Sequence, residues 1–184
     1  VSGMAIDEKE IESIIKASIE SFNGAIPLSL KKPLPHKVVT ASITEDILQN
    51  STHLIGNFTT YLTSDYNRNT NITIAARDVN GTLLAPGETF SLNKALGPRT
   101  RSKGYLEAGS FMNGQLVNSI AGGICQVATT LYNTALLTNL EIAERKPHSL
   151  TVSYIPYSLD ATISGDTLDI KFVNNQDSPI YIES

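Results

Sequence analysis

Cysteine is nearly absent from this chain: Cys125 is the only one in 184 residues, so no intrachain disulfide can form. That suits the cytosol, and equally a bacterial exterior where a stray thiol is avoided unless it is used. Runs of basic residues are missing and the net charge is −4, which speaks against a nucleic-acid partner. His36, His53 and His148 show no ligand spacing with one another or with the cysteine, so neither a metal nor a cofactor is expected. No stretch reads as a signal peptide or a membrane span. The longest charge-free segment, Ala108 to Leu140, is rich in Asn, Gln, Ser and Thr and reads as buried protein core. The chain opens on Val-Ser-Gly without an initiator methionine, so a targeting segment or membrane anchor is expected outside this stretch.

What is present is a globular balance, 41% hydrophobic against 17% charged, in a length that suits one domain with a small appendage. Asp7 with Glu10 forms a capping box ahead of Ile11, Ile14, Ile15, Ile19 and Phe22 at helical spacing, and this helix is expected to end near Asn23-Gly24. Residues 25 to 43 read as an extended, proline-broken linker, so the front fifty residues form a separate small element and residues 51–184 the main domain. Asn57 to Thr63 alternates as a strand, and Ile72, Ala75, Ala76 and Val79 predict a short helix stopped by Asn80-Gly81. Asn113-Gly114 between Phe111-Met112 and Gln115-Leu116-Val117 is a hairpin signal. The apolar run after Cys125 predicts a buried helix. Leu150, Val152 and Tyr154, then Leu168, Ile170 and Phe172, then Ile180 to Ile182 alternate as strands. The order is α+β: a central buried helix, with the cysteine at its N-terminus, packed on a mostly antiparallel sheet.

Within that frame the thiol stands out. Ala121-Gly-Gly-Ile-Cys125 gives a flexible approach to the first turn of a helix, where unpaired N–H groups and the positive dipole end favour a thiolate. His148, the only histidine downstream, is expected on a strand face with Leu150, Val152 and Tyr154, turned toward the cysteine helix. Asp160 could lie beside it and fix its tautomer as a third catalytic member, or simply cap a turn. By composition alone a single cysteine is as readily a small buried hydrophobe; the glycine pair and helix start favour a nucleophile. Backbone N–H groups at Gly123 and Gln126 are candidates for the oxyanion. Arg99, Tyr105, Tyr132 and Arg145 are candidates for substrate binding, an arginine fork suiting a carboxylate, although Arg145 could equally be a surface ion pair.

At these residues a family likeness appears. Asn67-Arg68, Asn71-Ile72, Pro86-Gly-Glu-Thr-Phe-Ser-Leu-Asn93, Gly97-Pro-Arg-Thr100, Gly122-Gly-Ile-Cys-Gln-Val-Ala-Thr-Thr-Leu-Tyr-Asn133, Glu144-Arg145, His148-Ser149 and Asp160-Ala-Thr162 run in order. Together they resemble the VanW domain, over roughly Ile55 to Ile182. The first fifty residues look like the trailing part of the peptidoglycan-binding-like domain that often precedes it. The resemblance implies an extracytoplasmic, monomeric peptidoglycan L,D-transpeptidase acting on stem peptides through the motif cysteine. A wall endopeptidase or carboxypeptidase, and a non-catalytic module binding peptidoglycan or glycopeptide, are the alternatives. Two departures are Ser158, where the family usually has glycine, and Ala121, where a third glycine is frequent.

Overall fold

The computed structural model describes residues 3–21, 33–39, 44, 45, 49, 53–112, 114–165 and 167–184. The chain divides into two compact units, 1–48 and 49–184. In the first, strand β1 (Gly3–Ile6) leads into helix α1 (Glu8–Glu20) and pairs antiparallel with β2 (His36–Val39). The Asp7 carboxylate caps α1 by accepting from the Glu10 N–H at 3.2 Å. Part of the expected linker is therefore strand β2. The expected helix end at Asn23-Gly24 lies outside the described residues.

The second unit carries α2 (Tyr66–Val79), β3 (Thr82–Leu84), β4 (Thr89–Ser91), α3 (Leu92–Leu96), β5 (Glu107–Met112), β6 (Gln115–Ile120), α4 (Cys125–Leu137), β7 (Glu141–Glu144), β8 (Lys171–Val173) and β9 (Ile180–Ile182). It is an α+β arrangement of small antiparallel sheets: β3 with β9, β4–β8–β7, and the β5–β6 hairpin. Phe90 of β4 and Phe172 of β8 sit directly opposite each other and stack with centroids 4.8 Å apart, a cross-strand pair that stabilises the three-stranded sheet. Helix α4 packs on β7 and against α2, with Val127, Ala128, Leu131 and Ala135 buried in one continuous core.

Helix α2 begins six residues before the apolar spacing suggests. Asp65 caps it by accepting from the Arg68 N–H at 3.0 Å. Polar Asn71 then occupies a fully buried position, so hydrophobic periodicity alone hides the first two turns. Asn71 pairs with both backbone groups of Leu106 and with the Gly122 carbonyl, at 2.8 to 2.9 Å. It is a buried staple with its polar groups satisfied.

Two expected strands do not form. Residues 57–61 alternate between exposed and half-buried, but 57–63 belong to no strand, and residues 150–154 are irregular as well. Helix α4 carries buried Gln126, Thr129 and Asn133 beside its apolar face, and these hold irregular backbone at Tyr61, Leu159 and Ala161. Gln126 Nε2 donates to Thr60 Oγ1 and the Tyr61 carbonyl, both at 2.9 Å. Thr129 Oγ1 donates to the Ala161 carbonyl at 3.1 Å and accepts from the Ala161 N–H at 3.0 Å. Asn133 Nδ2 donates to the Leu159 carbonyl at 2.7 Å. Buried backbone groups must find partners, and here helix side chains supply some of those that a neighbouring strand would supply elsewhere. Pro147 and Pro156, each lacking an N–H, work against a strand across the second segment. Of the alternation at Leu168, Ile170 and Phe172, only Lys171–Val173 is strand, preceded by an isolated bridge between Ser164 and Leu168.

The two departures from the family's glycines fall where the backbone is left-handed: Ala121 has φ 63° and Ser158 φ 68°. A side chain there costs about 1–2 kcal/mol, against about 0.5–1 kcal/mol for the extra freedom of glycine in the unfolded chain. Ser158 is exposed. Ser158→Gly is expected to stabilise the protein by about 0.5 kcal/mol, measured by chemical denaturation at neutral pH.

Candidate active site

Cys125 is the first residue of α4, reached through Gly122 and Gly123. The glycines are required by space. A Cβ on Gly122 would lie 2.2 Å from the Ala108 carbonyl oxygen of β5, and one on Gly123 2.5 Å from Arg68 Cγ. The turn is thus wedged between β5 and α2, and the sulfur it carries is held in place.

Around the sulfur, Thr162 Oγ1 lies at 3.4 Å and the Ile163 carbonyl oxygen at 3.6 Å, and the His148 imidazole is near enough to act on the thiol's charge. His148 is in an irregular segment, so it does not reach the sulfur by strand parity. Asp160 holds it there instead. One carboxylate oxygen, Oδ2, accepts from both the backbone N–H and Nδ1 of His148, each at 2.6 Å. With Nδ1 committed to Asp160, Nε2 is the ring nitrogen left for Cys125. The His148 side chain is 6% exposed, with the Phe111 ring edge-on at 6.4 Å between centroids.

Electrostatics follow from this chain of contacts. Burial pushes the Cys125 thiol up, but hydrogen bonds from His148 and Thr162 and the charge of His148 outweigh it, leaving the thiol below its ordinary value. Burial pushes His148 down, and its bonds to Cys125 and Asp160 reverse that, leaving it above its ordinary value. Burial would raise Asp160, yet the backbone N–H and side chain of His148 hold it below the usual carboxylate range. The arrangement favours a thiolate–imidazolium pair backed by a carboxylate.

The remaining candidates have other occupations. Arg145 Nε donates to the Asp160 carbonyl at 2.8 Å and Nη2 to the Ser158 carbonyl at 2.9 Å, with Asp160 Oδ1 at 3.5 Å. Its guanidinium stacks 4.9 Å above the Tyr132 ring. Arg145, stacked on Tyr132, therefore braces Asp160. Arg99 donates to Asn93 Oδ1 at 2.8 Å and to the Gly165 carbonyl at 3.0 Å, clamping a loop. Tyr105 is wholly buried in the core, its phenol pushed up to about 12 by burial and then by Asp78; the expectation that it binds substrate gives way to packing. The Gln126 N–H donates to the Gly123 carbonyl at 3.0 Å, so it is not free for an oxyanion. Among the described residues the N–H groups of Gly123 and Cys125 have no hydrogen-bond acceptor. No group of His, Cys, Asp and Glu among them could hold a metal ion.

Compared with known proteins, residues 67–184 match the family described as VanW like protein. The chain belongs to the VanW family. It is 35% identical over 165 residues to the uncharacterized protein YoaR of Bacillus subtilis (strain 168), covering 89% of this chain and 54% of that protein. It is 34% identical over 117 residues to the vancomycin B-type resistance protein VanW of Enterococcus faecalis (strain ATCC 700802 / V583), covering 61% of this chain and 42% of that protein. The chain thus spans about half the length of the curated relatives it matches. No solved structure matches it. Among the described residues, no helix of this VanW chain is long and apolar enough to cross a membrane.

Sequence reasoning gave no role to three residues at the VanW site. Thr162 touches the sulfur. Thr129 clasps Ala161 from one helical turn beyond Cys125. Arg68 donates to Gln126 Oε1 and lies 5.6 Å over the Tyr154 ring. Arg68 and Thr162 both fall within the ordered VanW motifs, but a hydroxyl and a lone cation carry no spacing that announces a partner far along the chain.

Proposed function

We propose that this VanW chain is a peptidoglycan L,D-transpeptidase working outside the cytoplasm at the bacterial cell wall. The observation that carries the reading is His148, held by Asp160 at 2.6 Å and acting on the charge of the Cys125 thiol. Kinship with a vancomycin-resistance protein supports a place at the wall. In the first half-reaction the Cys125 thiolate attacks the carbonyl of the third residue of a stem peptide. A sulfur–carbon bond forms, the peptide bond to D-alanine breaks, and the His148 imidazolium gives its proton to the departing amine. The oxyanion of the tetrahedral intermediate is received by the N–H groups of Cys125 and Gly123, a contribution of about 3 kcal/mol per donor in comparable sites. In the second half-reaction the side-chain amine of a neighbouring stem attacks the thioester, His148 takes its proton, and the thiolate is restored. The product is a cross-link between two third-position residues. We assign the first unit, residues 1–48, to the tail of a peptidoglycan-binding-like domain.

Intact-mass spectrometry after incubation with a tetrapeptide stem tests this. The expected result is an adduct equal to the stem without its terminal D-alanine, absent from a folded Cys125→Ala variant and discharged to a cross-linked dimer by a second stem. Discharge to free tripeptide only, with acceptor in excess, would make the protein a carboxypeptidase. Absence of any adduct, from an enzyme whose thiol still alkylates, would leave a binding module.

A further inference from the structure

Residues 160–163 form one short irregular strip with three successive attachments. Asp160 holds His148 by backbone and ring. Ala161 is clasped at both its N–H and its carbonyl by Thr129 of the cysteine helix. Thr162, its own N–H donated to the Lys146 carbonyl at 2.9 Å, places its hydroxyl 3.4 Å from the Cys125 sulfur. The Ile163 carbonyl, next along, lies 3.6 Å from the same atom. The sulfur therefore meets a group that can only accept and a hydroxyl that can donate, side by side on one rigid strip.

We infer that Thr162 is a further catalytic residue, whose hydroxyl donates to the Cys125 thiolate, while the Ile163 carbonyl accepts the S–H of the resting thiol. The two neighbours serve the two protonation states. When the proton leaves for His148 Nε2, the carbonyl loses its donor and the Thr162 O–H supplies one to the anion. On attack the sulfur's charge passes to the carbonyl oxygen, and the hydroxyl is freed until the thiolate departs again in the second half-reaction. A hydrogen bond to a charged acceptor contributes more than a neutral one, so the anion gains selectively. The other charged or titratable groups facing this sulfur are His148, Asp160 behind it, and Tyr154 with Arg68 above its ring. Besides the His148 imidazolium, the Thr162 hydroxyl is a side-chain donor at the sulfur.

The inference rests on Cys125 being the nucleophile, and its test needs no wall substrate. Alkylation by iodoacetamide is followed from pH 5 to 10 in the wild type, Thr162→Val, Thr162→Ala, Thr162→Ser and His148→Ala, with melting curves for each. The expected result is an alkylation rate about tenfold lower at pH 7 in both hydroxyl-less variants, a tenfold change being about 1.4 kcal/mol, with the midpoint moved to higher pH. Thr162→Ser is expected to stay within about threefold of wild type, since it keeps the donor. A profile for Thr162→Ala or Thr162→Val that superimposes on wild type overturns the role of Thr162. A His148→Ala profile that superimposes on wild type overturns the thiolate–imidazolium pair itself, which separates the two failures. Loss of reactivity in Thr162→Ser equal to that in Thr162→Val would show that packing of the β-methyl, and not the hydroxyl, matters, and also overturns the inference.

Discussion

Asp160→Asn should lower acylation of Cys125 by about 10³-fold while leaving the protein folded. The size follows from what the carboxylate holds. Oδ2 accepts two N–H bonds from His148 at once, which fixes the ring's position and commits Nδ1 as a donor. The neutral amide removes the imidazolium's counter-charge, and with its NH₂ turned into the place of Oδ2 it faces Nδ1 and favours the tautomer with the proton on Nε2. That nitrogen must take the proton of Cys125, so the wrong tautomer blocks the first step. Pre-steady-state acylation by a stem peptide, read by mass, measures the effect. An Asp160→Asn rate within tenfold of wild type would show that the carboxylate only shapes the loop.

The pH dependence has two parts. Acylation needs the thiolate and the imidazolium together, so its rate is bell-shaped, rising at the lowered Cys125 value and falling at the raised His148 value. In Asp160→Asn the alkaline limb should move to lower pH, because the imidazolium loses its counter-charge. Stability has its own signature. Asp160 is depressed in the folded protein, so its stabilisation is present above the unfolded carboxylate value of about 3.9. It is lost as pH falls through the lower folded value. The variant should lack that acid-side loss, which denaturation curves at pH 3 to 6 would reveal.

The fold was legible where local chemistry decides it and hidden where distant partners do. Asp7 and Glu10 announce α1, and Ile180 to Ile182 announces β9. The β5–β6 register, Met112 opposite Gln115, leaves the two-residue turn that Asn113-Gly114 suggests, although Asn113 itself lies outside the described residues. Residues 57–63 and 150–154 have strand-like alternation in sequence, with Phe58 and Thr60 half-buried in one and Val152 buried in the other, yet partial burial against a helix leaves the same imprint as burial against a sheet. Nothing in residues 57–63 shows that Gln126 will take up the Tyr61 carbonyl. The site shows the same division. The helix start at Cys125 is written in the glycines and the apolar run that follows. Arg145 reads as a free fork because its acceptors, the carbonyls of Ser158 and Asp160, are backbone atoms that no side-chain pattern encodes.

Gly122→Ala should destabilise the second unit by about 3 kcal/mol, the largest stability loss expected of any single methyl group here. Three backbone atoms crowd the new Cβ: the Ala108 oxygen at 2.2 Å, the Ala108 carbon at 2.5 Å and the Gly109 oxygen at 2.8 Å. None is the end of a flexible side chain, so relief requires β5 to move away from the turn. That movement pulls on Asn71, whose buried amide donates to the Gly122 and Leu106 carbonyls together, and an amide left unpaired in the core adds its own penalty. Gly109→Ala is the control. It lies in the same hairpin, its new Cβ meets only the Leu116 Cδ1 tip at 3.4 Å, and its cost should stay within about 1 kcal/mol. Urea denaturation of the two variants separates steric need from mere flexibility. If both lose the same small amount, the turn is pliable and the glycines serve only as a hinge. If Gly122→Ala alone collapses, and its thiol alkylates more slowly than wild type under native conditions, then the tight seat of that turn against β5 is what aims the sulfur at His148.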